Sequence, residues 1–159
     1  MSFNEISGPV IHIGIASVLA LLFRLNLVVT VFCAILPDLV DKPLAALGIG
    51  GGRYIGHTLL FAAVITGAFF LWKRRHGFAA IMGLMSHLLL DLNGFVPWFY
   101  PFKEYNFPGG RFSFTEWLKD YLTFSELGYE LTIVVLVGLV AFTCWWLYRW
   151  YARRKKQTE

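Results

Sequence analysis

The sequence predicts an all-α fold, an integral membrane bundle of about five helices, and three observations carry that expectation. Of 159 residues, 57% are hydrophobic, 18% aromatic and only 15% charged, with a mean hydropathy of +0.60. That is far more apolar than an ordinary soluble domain. The apolar residues fall into five runs of helical length, and the basic residues gather in alternate gaps between them, as in the loops of a multi-pass protein. The length suits one domain, residues 1–159, without internal repeat or low-complexity linker. Residues 1–122 hold the first four runs and an aromatic loop, and residues 123–159 the fifth run and a basic tail.

The first run, Val10 to Phe23, follows MSFNEISGPV, which lacks the basic region and small-residue cleavage site of a secretory signal, so the run is expected to be retained. The second, Leu27 to Leu36, is expected to end where Pro37, Pro43 and the glycines from Gly48 to Gly52 break the chain. The third runs from Thr58 to Trp72 and the fourth from Phe78 to Leu90, closed by Gly94 and Pro97. These four are short and suit helices that pack on one another, tilt, or end inside the protein near one membrane face. Only the fifth, Leu131 to Tyr148, approaches the ~20 residues that cross a bilayer comfortably. The stretch from Gly94 to Tyr121 is too polar to span and rich in the aromatic residues that favour the interface, and reads as a lid or lip. Cys33 and Cys144 show no CxxC spacing and read as small apolar packers that form no disulfide.

Charge orients the runs. Arg24 lies in the first gap, Lys73, Arg74 and Arg75 in the third, and Arg149, Arg153, Arg154, Lys155 and Lys156 after the fifth run. Alternating helices put these on one side, which the positive-inside rule makes cytoplasmic, so the N-terminus is expected outside and the C-terminus in the cytoplasm of a multi-pass protein. His12 then opens the first run, Asp38 and Asp41 close the second, His57 opens the third, and His87 and Asp91 close the fourth. All six fall at the outer ends. An unbroken helix through Arg24 would instead hold His12 and Asp38 about 39 Å apart.

An ionisable group in apolar surroundings costs several kcal/mol unless it is paired or bound to metal. Imidazole nitrogen with carboxylate oxygen suits zinc or another divalent ion, and six donors exceed what one tetrahedral ion needs, so one to two or more ions are expected. Asp38 and Asp41 are three residues apart and His87 and Asp91 four, so each pair shares a helical face. Taken singly, each has a plainer explanation. Asp-x-x-Asp after a proline caps or ends helices, His57 could start one, and His12 could bond to backbone. In SHLLLDL, a surface pair is disfavoured by apolar neighbours on all sides.

Arg53, four residues before His57, could clamp a phosphate or carboxylate, or be a loop arginine at the interface. Glu130 is a possible additional ligand, whereas Glu126 suits the start of the last helix. His76 reads as a solvated loop residue. GIGGGRYIG fits neither the dinucleotide nor the Walker pattern and reads as turn chemistry. Nucleic-acid binding is not expected, because topology accounts for the basic excess, and no serine or cysteine has the partner of a nucleophile.

His12, then ILPDLVD, RYIGHTLLF, SHLLLDLNG and PWFYPF, in that order, resemble the YdjM-type membrane-bound metal-dependent hydrolases, one of which gave the family the label LexA-binding. The resemblance covers residues 8 to about 102. It implies kinship with the all-helical zinc-dependent phospholipases C and nucleases, and ligand roles for His12, Asp38, His57, His87 and Asp91, with Asp41 a further candidate. In one departure, Gly52 stands where many relatives carry a histidine before the arginine. The expected activity is hydrolysis of a phosphoester by a metal-activated water, with Asp41 or Asp91 as general base and Arg53 steadying negative charge. Membrane lipid is the expected surrounding, and Phe95, Trp98, Tyr100 and Phe102 would favour an amphiphilic substrate such as a phospholipid. The alternatives are a non-catalytic protein with a structural metal and a partner-binding basic tail, or a His/Asp proton or metal relay. A relay needs a polar path toward Arg24, which the apolar runs do not offer.

Overall fold

A computed structural model describes residues 8–93, 95–107, 113 and 124–158. Among them are five α-helices and no strand: α1 (Pro9–Leu22), α2 (Leu27–Ala46), α3 (Leu59–Trp72), α4 (Arg74–Leu90) and α5 (Phe124–Thr158). Of the aromatic loop, Gly94, residues 108–112 and residues 114–123, Arg111 and Lys119 among them, lie outside the described residues, as does the side chain of Glu126.

Local chemistry sets the helix ends. Pro9 opens α1, where its missing N–H is no loss. The chain leaves α1 through Phe23 and Arg24, the latter in the left-handed region at φ 53°. Asn26 then caps α2, its side chain accepting from Val29 N at 3.0 Å. Thr58 caps α3 in the same way through Phe61 N. The expected break at Arg24 is therefore present. Arg75 Nη2 donates to the Arg24 carbonyl at 2.8 Å, which puts the two basic turns, α1–α2 and α3–α4, at one end of the bundle.

Two expectations fail. α2 does not stop near residue 36 but continues through Pro37 and Pro43 to Ala46. A proline inside a helix removes one hydrogen bond and crowds the preceding turn, and packed neighbours can satisfy the backbone groups it frees. The carbonyl that Pro37 leaves without its usual donor is that of Cys33; the next one, Ala34 O, takes a hydrogen bond from His87 of α4, so α4 packs against the helix at this point. His76, expected in a loop, lies in the first turn of α4 and stacks edge-on against Trp72, because Lys73 alone separates α3 from α4.

The core lies where α4 crosses α2, around Cys33, Ala62, Ala80, Leu84, Leu88 and Val96. Gly83 permits that crossing: a Cβ there would collide with the Thr30 carbonyl oxygen of α2. Gly14 plays the same part where α1 meets Val134 of α5. Large apolar side chains cover the outside, among them Leu21, Val28, Leu71, Leu139 and Phe142. α5 has 35 residues, and its stretch Tyr129–Trp146 is long and apolar enough to cross a membrane; among the described residues no other helix is. Cys33 is buried, Cys144 is exposed, and both are free.

Gly83→Ala should separate α2 from α4 and destabilise the protein by about 1–3 kcal/mol. Gly67→Ala on α3, where an added Cβ meets nothing within 4 Å, should leave stability unchanged or slightly raised. Thermal melts of the two variants in detergent check the contrast.

Candidate metal centre

The end of the bundle opposite the two basic turns gathers four elements: the start of α1, the middle of α2, the 49–58 loop and the end of α4. α1 contributes His12, which is buried, with neither ring nitrogen hydrogen-bonded. Its ring stacks on His87 at 4.1 Å. α2 contributes Asp38 and Asp41. Because α2 continues past Pro37, both stand inside the helix rather than at its end. Asp38 Oδ2 is held by Lys42 at 2.9 Å and Oδ1 lies 3.7 Å from His57 Nε2.

Asp41 is fully buried and turned the other way, toward the loop. Its oxygens accept from the backbone N–H groups of Tyr54 at 2.6 Å, Gly56 at 2.8 Å and His57 at 3.2 Å, and from His57 Nδ1 at 2.7 Å. Gly56 must be glycine for this close approach, since a Cβ would sit 2.7 Å from the Pro37 carbonyl oxygen and 3.1 Å from Asp41 Oδ1. Asp41, expected as a ligand or general base, accepts three of these donors on Oδ2 and one on Oδ1. It orients His57, the part a carboxylate plays behind many metal-ligating histidines.

His87 is held likewise. A carbonyl can only accept, so the 2.6 Å contact to Ala34 O fixes the proton on His87 Nδ1. With both Nδ1 atoms donating outward, the Nε2 atoms of His57 and His87 face each other at 3.1 Å. Two bare lone pairs at that distance repel, so the pair requires a cation or a proton between them. Asp91, at the turn after α4, closes the cluster. Its Oδ2 lies 3.2 Å from His57 Nε2, 3.7 Å from His87 Nε2 and 3.0 Å from Arg53 Nε, and its Oδ1 lies 3.5 Å from His12 Nε2.

Two groups of donors lie close enough to hold an ion, His12 with Asp38 and His87, and His57 with His87 and Asp91. Electrostatics between the helices agrees with a site built for positive charge. Burial alone would lower the His57 pKa, but the hydrogen bonds to Asp41 and Asp91 outweigh it and raise it. Burial would raise the Asp91 carboxyl, yet the neighbouring His12 and His57 rings and the Arg53 guanidinium hold it well below the usual carboxylate range.

The structure thus brings together His12, Asp38, His57, His87 and Asp91, sets Arg53 against them through Asp91, and places Asp41 behind His57. Glu130 goes elsewhere. It is buried and accepts from the backbone N–H of Gly8 at the head of α1, and belongs to neither donor group. Sequence reasoning missed Lys42, although its spacing of four from Asp38 was a readable signal. It also missed the Tyr54 N–H and the Ala34 carbonyl, which no side-chain pattern reveals.

A family described as YdjM inner membrane protein matches residues 6–156. The chain belongs to this family. The match runs past residue 102, where the motifs stop, through α5, so the last helix is part of the YdjM unit rather than an unrelated anchor. Membership in an inner-membrane family accords with the outward-facing apolar helices. No curated protein and no solved structure matches the chain.

Asp41→Ala would strand the buried backbone N–H groups of Gly56 and His57, at about 1–3 kcal/mol each, and the half-buried one of Tyr54. It should lower the melting temperature strongly even with a chelator present, as a thermal melt in excess EDTA would show.

Proposed function

We propose that this YdjM protein is a membrane-embedded, metal-dependent hydrolase that cleaves a phosphoester of an amphiphilic substrate at the extracytoplasmic face. The observation that carries the reading is the pair of facing Nε2 atoms on His57 and His87, each ring locked from behind, with Asp38, Asp91 and an unsatisfied His12 around them. His12, Asp38, His57, His87 and Asp91 would hold the ion. When bound, a divalent ion there supplies a water of lowered pKa and polarises a phosphoryl oxygen.

The chain's own residues do the rest. Asp41 and the Ala34 carbonyl keep both imidazoles in the tautomer that presents Nε2 inward. Arg53 fixes one oxygen of Asp91. The partly exposed members of the constellation are Asp38 at 18%, Lys42 at 23% and Arg53 at 18%, whereas His12, His57, His87 and Asp91 are at most 3% exposed. An incoming group therefore meets the Lys42 ammonium and the Arg53 guanidinium beside the Asp38 carboxylate, and the two cations favour an anion such as a phosphoryl group. Apolar helices around the bundle favour a lipid-like remainder. The same helices, with both basic turns at one end and the donors at the other, support a multi-pass arrangement with the N-terminus outside.

Purified protein should carry a divalent metal and hydrolyse at least one of a phosphomonoester, a phosphodiester and a phospholipid. Activity should vanish with chelator, return with metal, and fall about 100-fold or more in His57→Ala. Metal-replete protein inactive on all three classes would leave the metal purely structural. Reporters fused to the two termini should report opposite sides of the membrane, and a shared side would refute the topology.

A further inference from the structure

We infer that the cleft between α1 and α5, at the far end of the bundle from the donor cluster, seats one acyl chain of an anionic phospholipid from the leaflet at the basic end. The two helices run side by side in the same direction. Near their heads the backbone N–H of Gly8 meets Glu130, and Gly14 lies so close to Val134 that an added Cβ would collide with it. One turn further along each facing stripe come Val18 and Gly138, and there a Cβ on Gly138 would meet nothing within 4 Å. The helices have parted. Between them opens a cleft of about 400 Å³, lined by Val18, Leu21 and Leu22 on one side and Gly138, Phe142 and Trp145 on the other.

Its depth places it in one leaflet. The step from Gly138 to Trp145 is about 10 Å along the helix axis, against about 15 Å for half of a ~30 Å hydrocarbon core. The membrane-length stretch of α5 ends at Trp146, with Tyr148 and Arg149 next, an order that marks the headgroup level. Leu22 lies about 15 Å from His12 along α1, so the cleft is no part of the donor cluster.

Charge selects the occupant. Arg24 follows the cleft residue Leu22 closely, and Arg75 donates to its carbonyl, so two exposed arginines rim this end, with Lys73 and Arg74 beside them. Among the described side chains no carboxylate answers them, since Asp38, Asp41 and Asp91 sit in the cluster, Glu104 in the aromatic loop and Glu130 at the head of α1. Arg24 also holds φ 53°, where glycine or asparagine would cost less, so the backbone gives no reason for an arginine there. A second copy of this chain in the same membrane would bring its own basic turns to the same level and be repelled. A phospholipid of net negative headgroup supplies the missing charge and the apolar chain together.

The test is native mass spectrometry of delipidated, full-length protein in non-ionic detergent, titrated with phosphatidylglycerol and with phosphatidylcholine of identical chains. The wild type should bind one phosphatidylglycerol per chain about tenfold more tightly than phosphatidylcholine. Gly138→Leu, which puts a side chain into the cleft, should abolish that first binding event, whereas Gly67→Leu on α3 should keep it. Arg24→Asn, which suits the left-handed backbone, should weaken it about fivefold, and Arg24→Lys should hold the wild-type affinity. Circular dichroism checks folding, and Ala141→Leu, in the same cleft, replaces Gly138→Leu if that variant unfolds. Equal binding of the two lipids, or an undiminished preference in Gly138→Leu, would overturn the proposal, as would a dimer that Gly138→Leu dissolves. None of these variants touches the donor cluster, so their failure leaves the hydrolase reading intact, and a protein without metal or activity leaves the lipid site intact.

Discussion

Everything at the polar end of this bundle depends on how the buried carboxylate of Asp41 is satisfied. A carboxylate taken wholly out of water costs several kcal/mol unless its lone pairs are met. Here they are met by three backbone N–H groups and an imidazole, all from the four-residue stretch Tyr54 to His57. That satisfaction fixes the loop, the loop fixes the His57 ring, and the ring's remaining nitrogen is thereby aimed at His87. Gly56 is part of the same constraint, since the loop reaches Asp41 only because nothing projects from that position toward Pro37. Histidine orientation is thus bought with backbone hydrogen bonds rather than with more side chains.

Around that constraint the fold repeats one device, close approach of helices through small residues. Gly83 lets α4 lie against the backbone of α2 near Thr30, and one turn later His87 reaches the Ala34 carbonyl. Helix association here rests on such packing together with buried hydrogen bonds between the helices. The aromatic loop joins the same framework. Leu59 N donates to the Trp98 carbonyl at 2.9 Å, the hydroxyls of Tyr54 and Tyr100 lie 2.9 Å apart, and Phe107 packs edge-on against both tyrosine rings. The loop after the site and the loop within it therefore brace each other. The Tyr54 that carries the hydroxyl contact is the residue whose N–H holds Asp41.

Much of this was legible in the residues. Apolar runs and basic gaps give the helix order, and an imidazole or carboxylate in an apolar run is costly enough to mark His12, Asp38, His57, His87 and Asp91 without any coordinates. Two things were not legible. The length of α2 was hidden because proline is scored by the hydrogen bond it removes, whereas a packed partner decides whether the helix survives that loss. The difference between Asp38 and Asp41 was hidden because a spacing of three places both on one face but does not say which neighbours supply donors. Asp41 finds three N–H groups in the loop that follows its helix, 13 to 16 residues on, and Asp38 finds Lys42 on its own helix. Backbone partners such as the Ala34 carbonyl leave no trace in a side-chain pattern.

The continuation of α2 through Pro37 also explains why Asp38 can face the cluster while Asp41 faces away from it. Had the helix ended near Leu36, Asp38 and Asp41 would sit on a flexible exit with no fixed angle between them. Inside a continuing helix, three residues amount to a rotation of about 300°, so the two carboxylates point about 60° apart. That angle lets Asp38 present one oxygen to His57 Nε2 while Asp41 grips His57 Nδ1, so the two carboxylates flank the same ring from its two nitrogens. Lys42, one turn beyond Asp38, then neutralises the oxygen that points outward. A single helical turn thus supplies the group that approaches the ring from the cluster, the group that orients it from behind and the cation at the mouth, and the proline that looked like a terminator lies just before that turn.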